Sequence, residues 1–173
     1  MTNKELSQAI RKELKENGFI SKDISVRVRD SLYDTAVRVT IKNPLIKISD
    51  IEKIVNKYKE IDRDQRTGEI LAGCNTYVFV EYEYGIMEKA SSDLIPTAEM
   101  VLANKEKYSG HKIADNGKKT AHITHYNGNE WILAEFDKEE TGIYTYNPTY
   151  WIKCANDLAV AMWRFKNLGS IYA

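Results

Sequence analysis

Two stretches of the first half, ISVRVR at 24–29 and AVRVTI at 36–41, alternate apolar and polar residues with a period of two, and segments with helical spacing flank them on both sides. A period of two sends every second side chain to the same face, so each stretch is a strand with one apolar side. Such a pair cannot stand alone in water and has to be covered on that side. The order helix, strand, strand, helix, aromatic strand therefore predicts an α+β lobe.

Local signals set the boundaries. Thr2 and Glu5 have the spacing of a capping box, which predicts a first helix to about Asn17 with Leu6, Ile10 and Leu14 on one stripe and Gly18 as its stop. The short DSLYD link makes the two strands an antiparallel hairpin. Ser49 and Glu52 predict a second capping box, opening a helix with Ile51, Ile54, Val55 and Tyr58 on one side. The stretch from Ile61 to Asn75 has charges and two glycines without periodicity and reads as a mobile loop. Thr76 to Tyr84 is a strand that pairs apolar Val78 and Val80 with aromatic Tyr77 and Phe79 on the opposite face. That pattern predicts a strand covered on both sides, in one antiparallel sheet with the hairpin.

A second lobe follows, so the chain divides into 1–88 and 89–173. Pro96 fits the first turn of a helix reaching about Tyr108. Ala121 to Tyr126, Glu130 to Phe136 and Gly142 to Tyr146 are predicted strands, the first two joined by a turn at Asn127, Gly128 and Asn129. A last helix is predicted from about Thr149 to Asn167. Its apolar residues spread widely, so it closes the β-rich lobe as a core helix, with Trp151 and Met162 in the core.

At 173 residues and 43% hydrophobic composition the chain can bury one or two cores. Its 25 basic residues balance 25 acidic ones, with 15 of each before residue 89. A protein that coats nucleic acid with its whole surface carries a basic excess, so nucleic-acid contact has to be a local stripe or run through a partner. Cys74 and Cys154 stand 80 residues apart without a neighbouring cysteine, which predicts reduced, buried thiols. No run of apolar residues is long enough for a signal peptide or a membrane span, and the expected location is the cytosol of the cell that makes it.

Constellations for chemistry are sparse. His122 and His125 are three apart on a strand and point to opposite faces, so they cannot share an ion. Glu81 and Glu83 share a strand face and read as its solvent side. Neither Gly68 nor Gly73 belongs to a phosphate-binding glycine fingerprint. These readings predict no catalytic residue, no metal and no cofactor. The basic hairpin face is the strongest candidate: Arg27, Arg29, Arg38 and Lys42 project from one side, where guanidinium groups can fork onto phosphate or carboxylate oxygens. Tyr77 and Phe79 add stacking if their face is open. Arg63 and Arg66, in the charged loop, complete the partner-binding set.

The helix KELSQAIRKEL, the strands ISVRVR and AVRVTI and the helix SDIEKIVNKY together resemble the small domain named for large polyvalent proteins of phages and conjugative elements. The likeness covers Met1 to Tyr84, and the 61–75 loop departs from it in composition. The resemblance implies a mobile-element protein that counters host defences, which makes the cell a host and the location its cytosol. Without catalytic motifs, it implies a stoichiometric inhibitor of a host defence nucleoprotein, an anti-CRISPR protein acting on a type II effector nuclease with its guide RNA. Two further expectations stand beside it: a nucleic-acid-binding accessory module that uses the arginine face, and a nuclease.

Overall fold

The computed structural model describes residues 1–126, 130–138 and 150–173, and among these 38% are helical and 31% lie in strands or bridges. The chain divides into two compact units, Met1–Ile86 and Met87–Ala173.

The first unit runs α1 (Asn3–Glu16), β1 (Ile24–Ser31), β2 (Asp34–Ile41), α2 (Ile48–Val55) and β3 (Thr76–Tyr82). Helix α1 begins as its sequence dictates. The Glu5 amide donates to the Thr2 hydroxyl at 3.3 Å, and the Thr2 amide donates to the Glu5 carboxylate at 2.8 Å. The helix ends at Asn17, and Gly18, with φ +89°, lets the chain turn away. The second capping box is not formed: α2 starts at Ile48, one residue ahead of Ser49, and Lys47 gives its N-terminus no side-chain hydrogen bond. Asn43 directs the entry instead, its Oδ1 accepting from the Leu45 amide at 3.1 Å and its carbonyl from the Ile46 amide at 3.1 Å.

The sheet has the order β1-β2-β3. β1 and β2 pair antiparallel with Ile24 opposite Ile41 and Ser31 opposite Asp34. β3 pairs parallel to β2, Thr35 opposite Thr76 and Ile41 opposite Tyr82. The sheet is thus mixed, which corrects the antiparallel expectation for β3. The physical reason is the connection: α2 crosses the sheet between β2 and β3, and a crossover helix returns the chain in the direction it left. Both helices cover one face. Ile10 and Leu14 of α1 and Ile51 and Val55 of α2 bury against Ile24, Val26, Val37, Val39 and Ile41.

The second unit contains α3 (Ile86–Ala90, whose first residue closes the first unit), α4 (Ile95–Ala103), α5 (Lys105–Tyr108), β4 (His111–Asp115), β5 (Lys119–Tyr126), β6 (Glu130–Asp137), β7 (Tyr150–Ile152) and α6 (Ala155–Leu168). Pro96 does sit in the first turn of α4, and Asn104 interrupts the helix before α5. The sheet is antiparallel in the order β4-β5-β6-β7. β5 and β6 pair antiparallel as the hairpin expectation has it, with His125 opposite Trp131. The turn at 127–129 and the strand expected at 142–146 lie outside the described residues.

Helix α6 starts six residues later than expected, because Tyr150, Trp151 and Ile152 pair with β6 as a strand and the Asp157 carboxylate accepts the Lys153 amide at 3.0 Å. Leu158, Ala159, Ala161, Phe165 and Leu168 are its buried residues, so the core assignment of the helix holds. Met162 is half-buried against that core. Trp151 is not inside it. It is 47% exposed, because strand alternation turns Tyr150 and Ile152 inward and the tryptophan out.

Candidate nucleic-acid interface

The site is the face of the first unit's sheet that α1 and α2 leave uncovered. Its composition follows from the register. Val26, Val37 and Val39 go to the helices, so Arg27, Arg29, Ala36 and Arg38 go the other way. Arg27 lies opposite Arg38, and Arg29 opposite Ala36. On the third strand Tyr77 lies beside Ala36 and Phe79 beside Arg38. Two arginines directly across from each other repel. The arrangement therefore favours an anion between them.

Ala36 is the small residue that makes room. Arg27, Arg29, Ala36 and Arg38 line a cavity of about 200 Å³ on this face. Arg38 Nη1 is 3.3 Å from Glu81 Oε1, an exposed pair whose energy is small in water. Arg27 and Arg29 have no ion pair or hydrogen bond among the described residues, so their guanidinium groups are available to a ligand. Tyr77 and Phe79 stack with ring centroids 6.4 Å apart and planes 18° from parallel. Phe79 is 49% exposed. This overturns the expectation that β3 is covered on both sides: it is an edge strand with one face packed and one face open.

The other predicted residues are placed differently. Lys42 lies one residue beyond the end of β2, its amide bonded to the Asp23 carbonyl at 2.6 Å, and takes no part in the arginine cavity. Arg63 Nη1 donates to the Gly68 carbonyl at 2.9 Å, and Arg66 is an exposed residue of the turn that Asp64 organises by accepting the Arg66 and Thr67 amides. Neither joins the sheet face. Their loop is built around buried Asn75, whose Nδ2 donates to Asp34 Oδ1 at 3.1 Å and to the Leu71 carbonyl at 2.8 Å, while its Oδ1 accepts the Asp62 amide at 2.8 Å. The segment expected to be mobile thus carries its own polar core, and an asparagine among charged residues gave no sign of that role.

His122 and His125 do occupy opposite faces. His122 meets Phe136 edge-on and lies 3.1 Å from the Thr120 hydroxyl, whereas His125 meets Trp131 with centroids 5.5 Å apart. Glu81 is engaged with Arg38, and Glu83 falls past the end of β3. Both cysteines are exposed, contrary to expectation. Cys74 has a positive φ of 63° at the loop's exit, and Cys154 precedes the first residue of α6, outside its apolar stripe. Among the described residues no three His, Cys, Asp or Glu side chains gather as a metal site. No described helix is long and apolar enough to cross a membrane.

Comparison with protein-family models, with curated proteins and with solved structures gives no significant match.

Proposed function

We propose that the protein is a non-catalytic binding protein whose open sheet face takes single-stranded nucleic acid. The observation that carries this reading is the pairing of two stacked, accessible rings on β3 with the Arg27–Arg29–Arg38 cluster on the adjoining hairpin. Arginines supply phosphate contacts and aromatic rings supply platforms for unstacked bases, which is the combination single strands require. A duplex keeps its bases stacked on one another and has no use for the rings.

Binding of a fluorescein-labelled single-stranded oligonucleotide, followed by anisotropy, tests the proposal. Affinity should fall with added salt as counterion release demands. Replacing Arg27, Arg29 and Arg38 together by alanine should weaken it by several kcal/mol, at about 1.5–3 kcal/mol per charge-assisted hydrogen bond. Tyr77→Ala with Phe79→Ala should cost about 1–3 kcal/mol for each base that loses its stacking partner. If wild type and triple variant bind alike, the face is only a solvated one.

A second reading places the same face against a host defence nucleoprotein, a type II CRISPR effector with its guide RNA, as the resemblance in the first 84 residues implies. What favours it is the balance of 25 basic and 25 acidic residues, which suits a target presenting protein and RNA together better than bare polyanion. Pull-down on guide-loaded effector followed by a cleavage assay separates the readings. Absence of a complex at micromolar concentration would remove this one.

A further inference from the structure

The edge of β1 carries a different feature from the sheet face. β1 is an outer strand of its sheet, so one row of its backbone groups has no strand partner. The Ile24 amide donates to the Ile20 carbonyl at 3.1 Å and the Val26 carbonyl accepts from Arg11 Nη2 at 2.6 Å, which shows that Ile24 and Val26 direct these groups away from β2. Antiparallel alternation then puts the amide and carbonyl of Val28 on the same open edge. A trough of about 320 Å³ runs along this edge between Val26 and Val28 on one side and Lys4, Ser7 and Arg11 of α1 on the other. A separate apolar pocket, also about 320 Å³, shares Arg11 and Val26 with the trough and is lined further by Leu14, Phe19, Ile20 and Ile24.

Charge identifies the occupant. Lys4, Arg11, Lys15, Arg27 and Arg29 line the two hollows, and no acidic side chain does. We propose that this edge receives an extended acidic peptide segment of a partner protein, which adds beside β1 as a further strand and seats one bulky apolar side chain against Phe19 and Ile20. Main-chain hydrogen bonds to Val28 supply the docking, and the basic rim selects for Glu and Asp. A second copy of the chain fits poorly, since pairing β1 with itself would set Arg27 and Arg29 against their own counterparts. Nucleic acid offers no amide ladder to the edge. Arg27 and Arg29 also line the cavity on the sheet face, whereas the main-chain bonds to Val28 belong to the edge alone.

The test uses a fluorescein-labelled octapeptide of alternating Glu and Val, read by anisotropy against the full chain. Two derivatives carry N-methyl groups on alternate amides, one on the first set and one on the second. In a strand only one set faces β1, so one derivative should lose about tenfold or more in affinity while the other binds as the parent does. Val28→Pro, which removes an edge donor and leaves the β1–β2 ladder its bonds, should lower binding similarly. Should the variant fail to fold by circular dichroism, the two derivatives on wild-type protein still decide. Equal binding by both derivatives would mean that the peptide is held by charge alone and would overturn the proposal, as would no binding of the parent peptide. Dimerisation of the wild type at micromolar concentration, abolished by Val28→Pro, would assign the edge to a second copy instead. Oligonucleotide binding should survive Val28→Pro; its loss together with the peptide would mean one shared surface and would also refute a separate edge site.

Discussion

Leu32 holds a left-handed backbone, φ 54°, at the tip of the β1–β2 turn, and is 96% exposed. For a bulky L-residue that conformation costs about 1–2 kcal/mol, and nothing buried is gained in return. Leu32→Asn should therefore raise stability by about 0.5–1 kcal/mol in urea denaturation, because asparagine tolerates the left-handed region. Asn75 is the opposite case, a polar side chain whose hydrogen bonds are all needed. Asn75→Ala strands the Asp62 amide and one lone pair of Asp34, and should cost about 1–3 kcal/mol. Asp115 gives the pH dependence. The Gly117 amide at 2.9 Å, then Lys138 at 3.0 Å and Lys112 at 3.2 Å, hold its carboxyl well below the usual carboxylate range. A depressed carboxylate contributes stability above its unfolded value and loses it as pH falls. Denaturation midpoints should drop below about pH 4, and Asp115→Asn should flatten that drop. If wild type and variant show the same acid limb, Asp115 is not its source.

Among the elements, those written in local chemistry were legible in the sequence. The first capping box, the two valine-rich strands and the β5–β6 pairing all depend on residues within a few positions of one another. The direction of β3 was not, since Thr76 to Tyr82 reads the same whichever way it pairs, and only the crossover through α2 decides. The sheet face was half legible: alternation grouped Arg27, Arg29 and Arg38, but only the pairing with β3 brings Tyr77 and Phe79 beside them. Strand β4 was missed because HKIAD is short and bulged, its register shifting between Lys112 and Ala114. Helix α6 anchors the second unit through Phe165, which is fully buried. Phe165→Ala should destabilise by about 3–5 kcal/mol. A loss below about 1 kcal/mol with the fold intact would make the helix an exposed surface instead. Its C-terminus is closed by Asn116, whose Nδ2 donates to the Phe165 carbonyl at 3.3 Å and to the Gly169 carbonyl at 3.2 Å. Beyond it, buried Glu135 binds the Lys119 ammonium and accepts from the Ser170 hydroxyl and the Ile171 amide, both at 2.9 Å.

At the scale of the whole molecule, each unit has a hydrophobic cluster of its own. A fragment spanning 1–86 should therefore unfold cooperatively on its own in a calorimeter and keep the oligonucleotide affinity of the full chain. Broad, non-cooperative melting of that fragment would contradict the division. The parallel partnership of β3 with β2 also bears on how the first unit is reached in time. The β1–β2 hairpin closes locally, on the order of microseconds. β3 can dock only after the chain from Lys42 to Asn75 has looped across, and closing such a long loop comes before any reward from its contacts. On this order the arginines belong to the early-forming part and the two rings to the late one, so a nascent chain halted before Asn75 should display positive charge without its stacking platform, and the preference for single strands that the proposed function requires would come only with β3.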